Sequence, residues 1–530
     1  RKHHMRNHVI IIGAGLAGMA AAMSAHDKGA SVTLIDRGSI GLGTNSALAG
    51  GQFTGPTFLH SPEEFIQDTL DTGRGINRKR LVRLVAFKAP EAFDFLRHLG
   101  LKLIETPTAF RIQSPNPVVI PGVTLVRTLA EKIKEMKHIQ ILTRFYVTKI
   151  IIENGKATGV CGFDKEGRNR TIHGDGIVLA TGGAGAIYSK NDNQKTIMGQ
   201  GYYLASSAGL NLWDMEFVQC YPFVIAEPHL PSLLVYPPYP HEARLVNGKG
   251  EDILARYGIE DINDAIMKKR DELSVILNEE STVSRVLMDF SEVPDHMWDA
   301  YPLSILEKLH FDVRKKPFAV SPAVHFCMGG IEVNEKGQTS LEGLYACGEV
   351  TWGLHGANRR GGNALTECLV MGRVAGTFAA RYRGEEESED HDNMNHQNEH
   401  ADSAQGGLFI SFRELRAHVR NLAWEHAGIV RDEAGLKKGL LMLDSIEGEL
   451  KNAMWTNVRE RIIKEDLLSA VFSVKAILSA SMGRKESRGS FIRKDYPKED
   501  NDNWRKNSCL TYNPQNNSFS VSYHDAEWGD

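Results

Sequence analysis

A glycine-rich turn near the start of the chain constrains the fold more than any other feature. The apolar run Val9–Ile12 has β propensity, and it is followed by GAGLAG (residues 13–18), an alanine-rich helical stretch to Lys28 and a second strand, Ser31–Ile35. The three glycines allow a tight turn, close approach of a pyrophosphate and helix–strand packing. Asp36 lies at about the 20-residue spacing at which an acid binds ribose hydroxyls. The chain is therefore predicted to open with a Rossmann-type unit that binds a dinucleotide.

Composition narrows the class of protein and its partners. The chain has 530 residues, which is too many for one core, so several domains are expected. A net charge of -4 gives no basic field for nucleic acid. No apolar run reaches the roughly 18–20 residues of a spanning helix, and no signal peptide is recognised. The six cysteines lack CxxC spacing, so we expect a cytoplasmic protein with reduced thiols, no c-type haem and no iron–sulfur cluster of its own.

Changes in composition divide the chain into segments. The predicted boundaries are 6–221, 222–322, 323–383, 384–404, 405–482 and 483–530. The second segment is punctuated by proline and is expected to be a domain inserted between the first and the third. The fourth is acidic, and its His391, His396 and His400 are attributed to a solvated linker rather than to a metal site. The fifth has helical periodicity, and the last has turns and short strands.

Two further stretches indicate a ligand site. Residues 41–55 are small, polar and glycine-dense, which suits backbone contacts with a flat ring. Residues 325–376 combine one histidine at their start with Arg359 and Arg360 just before a glycine-opened helix. A helix N-terminus with glycine at its entry favours anionic or electron-rich groups. This second stretch is predicted to hold a cofactor and a carboxylate together.

With these residues identified, the chain resembles the flavoprotein family of fumarate reductase, succinate dehydrogenase and L-aspartate oxidase. The motifs that carry the resemblance run in the same order over nearly the whole length. They are VIIIGAGLAGMAAA, ALAGGQ, IVLATGGAG, DMEFVQ, HFCMGGIEV, GLYACGEV, GLHGANRRGGNAL, RKESRG and RKDYP. The resemblance implies an α/β fold: a Rossmann-type FAD-binding domain in two parts, an inserted α+β capping domain, a helical domain and a small C-terminal domain.

The resemblance also assigns the cofactor site. Glu349 matches a residue that holds the FAD ribitol or ribose, and Asn363, Ala364 and Leu365 are expected to offer backbone donors to the isoalloxazine ring. Together with the glycine-rich turns, the predicted FAD ligands are Gly13, Gly15, Gly18, Asp36, Arg37, Thr44, Asn45, Gly50, Gly51, Thr181, Gly182, Glu349, Asn363, Ala364 and Leu365.

Three residues are predicted to carry the chemistry. His325 and Arg359 match the substrate-carboxylate ligands of the family's HxxxGG and HGANR motifs; taken alone, His325 would be read as a core histidine. An arginine fork suits a carboxylate. Arg270 occupies the place of the family's proton-shuttling arginine, and Arg285, in a VSR segment, is the rival assignment. An arginine is a poor acid in water, so this role needs neighbouring carboxylates in a closed site.

Departures from the family pattern bear on both cofactor and substrate. Thr44 or Asn45 stands where membrane-bound relatives carry a histidine linked to FAD, so FAD is expected to be non-covalent. Tyr221 and Phe223 replace the histidine and threonine of an HPT motif, and residues 235–237 (VYP) replace a TEG motif. Half of a dicarboxylate clamp is therefore missing, although Tyr221 could donate one hydrogen bond to a substrate.

The expected function is that of a FAD-dependent oxidoreductase that interconverts C–C and C=C bonds beside a carboxylate, on a substrate other than a plain C4 dicarboxylate. Its electrons are expected to be exchanged with an iron–sulfur protein subunit. Three alternatives stay open at this point: an oxidase like L-aspartate oxidase, a flavoprotein like that of adenylylsulfate reductase, and an electron relay within a larger complex.

Overall fold

A computed structural model describes residues 6–382 and 410–527 of the chain. Its centre is a parallel sheet of five strands. In spatial order these strands are Leu344–Ala346, Gly176–Leu179, His8–Ile12, Ser31–Asp36 and Ile139–Thr143. The residues of the first four strands are almost all buried, as expected for a parallel sheet covered on both faces, whereas the edge strand Ile139–Thr143 is partly exposed. The predicted α/β class and its Rossmann-type opening unit are confirmed.

The helix Leu16–Asp27 packs against the helix Asn363–Arg381, so segments from before and after the inserted residues 222–322 meet beside the sheet. Gly372 and Gly376 make this contact possible, because a Cβ at these positions would lie 2.4 Å from Ala17 O and 2.1 Å from Ala21 O. The two long segments that precede and follow residues 222–322 therefore form one body.

The same body carries further helices and two small antiparallel sheets. The helices are Pro62–Thr72, Lys79–His98, Pro121–Glu135 and Gln200–Ser207. One sheet consists of Gln52–Thr54, Ala109–Ile112 and Leu103–Thr106, and the other of Tyr146–Glu153, Lys156–Phe163 and Asn169–His173.

The inserted segment is entered and left through two paired strands, Val218–Ile225 and Phe318–Cys327. The predicted boundaries at 221/222 and 322/323 fall inside these strands, so the main body and the insertion share them. Leu287–Asp289 and Arg244–Val246 extend the sheet, and the insertion has a hydrophobic core of its own. Its helices are Ile253–Arg256, Ile262–Lys268, Arg270–Val283 and Leu303–Leu306.

Three helices follow the gap in the described residues: Phe412–Ala427, Glu433–Lys451 and Val458–Gly483. The hairpin Lys506–Asn513 and Ser518–Asp525 then pairs with Leu212–Trp213, which also pairs with Gly330–Ile331. Val430–Arg431 pairs with Ile492–Arg493, and Asn501–Trp504 is a short helix. The predicted acidic linker, with His391, His396 and His400, lies outside the described residues.

The helix Val458–Gly483 corrects one expectation from the sequence. It is the one helix of the described residues that is long and apolar enough to cross a membrane, whereas the sequence analysis found no such run. However, 72% of its apolar window is buried inside the protein. It contacts both other helices of this region and the helix Gln200–Ser207, as the core helix of a bundle does.

Candidate active site

A cavity of about 810 Å³ lies at the carboxyl ends of the parallel strands, between the main body and the inserted domain. Open α/β sheets bind ligands at this edge. Most of the predicted site residues line it: Gly13, Gly15, Asp36, Arg37, Thr44, Asn45, Gly50, Thr181, Gly182, Tyr221, Arg270, His325, Glu349, Arg359, Ala364 and Leu365. Gly18, Gly51 and Asn363 do not line it. The Asn363 amide, expected to be a backbone donor to the isoalloxazine ring, instead donates to Arg360 O at 3.2 Å.

The turn between the first strand and the first helix is fixed by two glycines. Gly13 has φ of +104°, and a Cβ there would lie 2.2 Å from Ala180 O. A Cβ on Gly18 would lie 1.8 Å from Gly13 O, so this position lets the helix approach the turn. The first turn of this helix lines the cavity with Gly15, Leu16 and Ala17, and a helix N-terminus at this place suits a diphosphate.

Asp36 holds this turn from the end of the second strand. Its Oδ2 accepts a hydrogen bond of 2.9 Å from the Ala14 amide, and its Oδ1 accepts one of 2.7 Å from the Gly38 amide. Burial raises the pKa of Asp36, and the two amides oppose that rise. Each carboxylate oxygen can accept a further hydrogen bond, so the expected ribose contact stays compatible with this geometry.

The cavity offers the groups that a flavin dinucleotide needs. Thr181 Oγ1 is buried in its wall and has no hydrogen-bond partner among the described residues. Glu349 is also buried there; its Oε1 accepts a 3.0 Å hydrogen bond from the Cys327 amide, and burial raises its pKa to about 7. Hydroxyl groups of the ribitol or ribose would form hydrogen bonds with Thr181 and with Glu349. The amides of Ala364 and Leu365 lie in the first turn of a helix.

Asn45 connects its own loop in the cavity wall to the loop that contains Asn193 and Gln194. Its Nδ2 donates to Asn193 Oδ1 at 2.6 Å, and its Oδ1 accepts from the Gln194 amide at 2.8 Å. Thr44 donates to Gly41 O at 2.5 Å. Both residues lie in the wall of the cavity, and neither side chain can form the covalent bond that a histidine makes with FAD. These contacts fit a dinucleotide held by hydrogen bonds.

Arg37, an expected FAD ligand, lines the cavity and is also paired within the protein. Its guanidinium forms two hydrogen bonds, of 2.6 and 2.7 Å, with the Asp466 carboxylate on the helix Val458–Gly483. The same guanidinium lies over the Tyr146 ring at 4.8 Å, and Tyr146 also donates to Asp466. Arg37 therefore fastens the helical region to the edge of the cavity.

His325 lies in the wall of the cavity with one ring nitrogen bound to a carboxylate. Its Nδ1 is 2.7 Å from Asp192 Oδ2, and 29% of its side chain is exposed. Because the carboxylate accepts a hydrogen bond, Nδ1 carries a proton, and Nε2 is left for a ligand.

Two arginines converge near this histidine. Arg359 is 5% exposed, its Nε donates to Gln219 Oε1 at 3.1 Å, and its guanidinium lies 4.9 Å from the Phe326 ring centre. Arg270 donates to Arg359 O at 2.6 Å and to Asn358 Oδ1 at 3.3 Å. Burial, and then the charge of Arg270, lower the pKa of Arg359 to about 9.

Neither guanidinium forms an ion pair within residues 6–382 and 410–527, although the Glu349 and Asp192 carboxylates also line the cavity. The buried Arg359 and the half-buried Arg270 therefore face the cavity without a paired carboxylate. Uncompensated buried charge is costly. This arrangement is therefore suited to an anionic ligand.

The rival arginine lies elsewhere. Arg285 forms a 2.8 Å ion pair with Glu227, and 61% of its side chain is exposed, away from the cavity. Arg270 instead begins the helix Arg270–Val283, donates to Arg359 O and lines the same cavity as His325. This geometry favours Arg270 as the arginine that meets the substrate.

The inserted domain covers the opposite side of the cavity with aromatic residues. Tyr221, Tyr236, Tyr301 and Pro237 line it, and the Tyr221 and His325 rings are 5.7 Å apart. Two residues that were expected to shape the substrate site do not line it, which corrects the sequence interpretation. Phe223 is fully buried in the core of the inserted domain, edge-on to Tyr239, and the side chain of Val235 is buried with it.

Several contacts were missed by reasoning from the sequence. Asp192 lies in the polar run KNDNQK (residues 190–195), which predicted nothing alone because a run of this kind is typical of a loop. Gln219 and Asn358 lie inside the motifs EFVQ and HGANR and could have been singled out there. No group of three or more His, Cys, Asp or Glu that could hold a metal ion is found in the described part of the chain.

Comparisons with known proteins agree with this geometry. A family model described as FAD binding domain matches residues 8–365, and one described as fumarate reductase flavoprotein C-term matches residues 416–529. An uncharacterized FAD-dependent oxidoreductase of Methanocaldococcus jannaschii is 30% identical, with 96% of each chain covered. One chain of the fumarate reductase (CoM/CoB) of Methanothermobacter marburgensis is 27% identical, over 95% of this chain and 96% of that one.

One further relative and one solved structure are also similar to this chain. The L-aspartate oxidase of Bacillus subtilis is 28% identical over 92% of this chain and 91% of the oxidase. Quinol fumarate reductase FrdA of E. coli has a similar fold, with a TM-score of 0.87, 23% identity, and coverage of 99% of this chain and 97% of that one.

Proposed function

This chain belongs to the FAD-dependent flavoprotein family that includes fumarate reductase and L-aspartate oxidase, and we propose that it interconverts a C–C and a C=C bond beside a carboxylate. The family, its fold class and FAD as the cofactor agree with what the sequence predicted. The substrate, the direction of the reaction and the roles of single residues are our proposal.

The observation that carries this proposal is a pair of unpaired cations, the buried Arg359 and the half-buried Arg270, next to His325. A substrate carboxylate supplies the missing anion, because the planar fork of Arg359 can bind both of its oxygens. His325 Nε2 adds a further donor when the ring is protonated, while Asp192 fixes the ring on its other side. The carboxylate is thereby held in one orientation.

Bound FAD supplies hydride chemistry at its N5 atom. In the reductive direction, one carbon of the double bond takes the hydride and the other takes a proton, which we assign to Arg270. The Asp271 carboxylate follows Arg270 in the chain and accepts a hydrogen bond of 2.5 Å from Asn358 Nδ2. Burial raises the pKa of Asp271, although Arg270 opposes the rise. Asp271 is therefore placed to return a proton to Arg270 after each turnover.

The electrons must enter or leave through another redox partner. We propose an iron–sulfur protein subunit, as in fumarate reductase and succinate dehydrogenase, and a cytoplasmic location. The match of residues 416–529 to the fumarate reductase C-terminal model supports this, because the region that follows the FAD-binding domain is retained. Purification at native abundance should recover a cluster-bearing protein together with this chain.

The similarity to L-aspartate oxidase supports a second candidate, an oxidase that delivers its electrons to oxygen. Measurement of peroxide separates the two. The proposed reductase should consume a reduced viologen dye anaerobically when an α,β-unsaturated carboxylic acid is added, and should form little peroxide in air. Rapid peroxide formation with an amino acid, and no dye oxidation with any unsaturated acid, would identify the oxidase instead.

A further inference from the structure

The hydroxyl groups of the aromatic wall have a fixed direction. Tyr239 donates its hydroxyl proton to Val235 O at 2.7 Å, because a carbonyl oxygen can only accept. Tyr221 Oη lies 2.7 Å from Tyr239 Oη. Since Tyr239 has no second proton, Tyr221 must be the donor in this hydrogen bond. The sequence-based expectation that Tyr221 could donate to a substrate is therefore corrected: its proton is bound to Tyr239, and only the lone pairs of its oxygen are left for a ligand.

The neighbouring tyrosines behave in the same way. Tyr236 donates its hydroxyl proton to Leu48 O, and Tyr301 makes a longer contact of 3.5 Å with Gly50 O. Burial raises the pKa of Tyr221 to about 12, so it keeps its single proton at neutral pH. The aromatic wall thus presents oxygen acceptors and aromatic carbon, and the phenolic protons of Tyr221 and Tyr236 are bound to the protein.

We propose that this wall selects a monocarboxylate whose far end carries a neutral hydrogen-bond donor, such as a hydroxyl or amide N–H, and rejects a second carboxylate. The inference rests on the proposed carboxylate chemistry and concerns the other end of the same ligand. A carboxylate or ester oxygen placed here meets another acceptor and loses its water without a replacement. A donor group instead completes the hydrogen bonds of Tyr221.

Two cations nearby make the preferred donor neutral rather than an ammonium. Arg270 faces Tyr221 and Arg111 faces Tyr301, and both would repel a positive charge. Arg111 is itself exposed at the edge of the cavity and donates to Gln52 Oε1 at 3.3 Å. Water screens the exposed charge of Arg111, and the proposed reaction uses Arg270 as the proton donor to the double bond, so neither replaces a clamp for a second carboxylate.

Three acids of nearly the same shape test the proposal: fumarate, its monomethyl ester and its monoamide. Oxidised holoenzyme cannot reduce them, so dissociation constants can be read from changes in the visible flavin spectrum. The monoamide should bind at least about tenfold more tightly than the monoester, whose far end is also neutral but has no hydrogen-bond donor. It should also bind more tightly than fumarate. Equal or tighter binding of fumarate or the ester would overturn the proposal.

Single-atom variants test the direction of the hydroxyl protons. Tyr239→Phe removes the acceptor of Tyr221, which frees that proton for the ligand. Binding of the ester and of fumarate should then strengthen about fivefold or more, and the preference for the monoamide should shrink. Tyr221→Phe should abolish the preference for the monoamide, because the hydroxyl oxygen that accepts its hydrogen bond is lost. Tyr257→Phe, an exposed tyrosine of the same domain that bonds to Glu280, is the matched control.

The possible failures are distinguishable. Unchanged selectivity in both Tyr221→Phe and Tyr239→Phe, with normal FAD content, would overturn the inference while the proposed function stands. Loss of fumarate binding in Arg111→Gln alone would also overturn it, because Arg111 would then serve a second carboxylate. If no acid perturbs the flavin spectrum of the wild-type holoenzyme, the carboxylate chemistry itself fails, and the inference fails with it.

Discussion

Asp192 and His325 are 133 residues apart in the chain, yet Asp192 Oδ2 lies 2.7 Å from His325 Nδ1. Both residues line the ligand cavity, and the carboxylate fixes the orientation of the imidazole while Nε2 is left for a ligand. Asp192→Asn should lower kcat/KM by about 10- to 100-fold, because a charged hydrogen bond that orients the ring is lost. FAD content should not change, and Asp192→Glu should restore part of the rate. Wild-type kinetics in Asp192→Asn would remove Asp192 from the mechanism.

Arg270→Lys and Arg285→Lys form a matched pair within one domain. Arg270→Lys should abolish turnover while FAD stays bound, because an ammonium cannot reproduce the fork that reaches Arg359 O and Asn358. Arg285→Lys should stay within about twofold of wild type, since 61% of the Arg285 side chain is exposed and its ion pair with Glu227 lies outside the cavity. Dye-coupled turnover at saturating acid measures both. An active Arg270→Lys beside an inactive Arg285→Lys would exchange their roles.

Acid denaturation should release all FAD into the supernatant. Thr44 and Asn45 stand where a covalent histidine would be, and their side chains bond to Gly41 O, Asn193 and Gln194 instead. The measurement is flavin fluorescence of the precipitated chain and of the supernatant. Fluorescence that stays with the washed, denatured polypeptide would contradict non-covalent binding.

Glu349 should make the stability of the FAD-free protein depend on pH. Burial raises its pKa from 4.5 to about 7, so the folded protein retains a proton that the unfolded chain loses in this window. Its contribution therefore becomes unfavourable as pH rises from 4.5 to about 7. This effect is absent in Glu349→Gln. The free energy of unfolding of the FAD-free variant, minus that of the FAD-free wild type, should therefore be larger at pH 8 than at pH 4.5 by roughly 3 kcal/mol. Denaturant unfolding at both pH values measures it, and an equal difference at both would contradict the raised pKa.

Local motifs made much of the site predictable. The turn around Gly13 and Gly18 follows from steric limits that act over a few residues, so the sequence alone could place it. Arg359 and Glu349 also lie within short motifs that follow strands of the central sheet. Their presence in one cavity follows from the parallel order of the strands, whose carboxyl ends meet at one edge.

Contacts between distant segments could not be predicted in this way. Arg37 and Asp466 are 429 residues apart and pair only because the helical region packs against the FAD-binding domain. The sequence likewise counted Phe223 in the substrate site, whereas its side chain points into the core of the inserted domain. The direction of the Tyr221 hydroxyl depends on Tyr239 and on a backbone carbonyl, and no residue pattern encodes it.

The central claim is that Arg359 binds a substrate carboxylate so that reduced flavin can reduce the adjacent double bond. The most direct measurement is a single turnover: holoenzyme reduced anaerobically is mixed with the monoamide of fumarate, and flavin absorbance and saturated product are followed together. Wild type should reoxidise and form one saturated acid per flavin. Arg359→Ala, with FAD fully bound, should bind the acid about 30- to 700-fold more weakly and stay reduced at that concentration, from a loss of about 2–4 kcal/mol. Equal reoxidation in both proteins, or flavin reoxidised without saturated product, would contradict the claim.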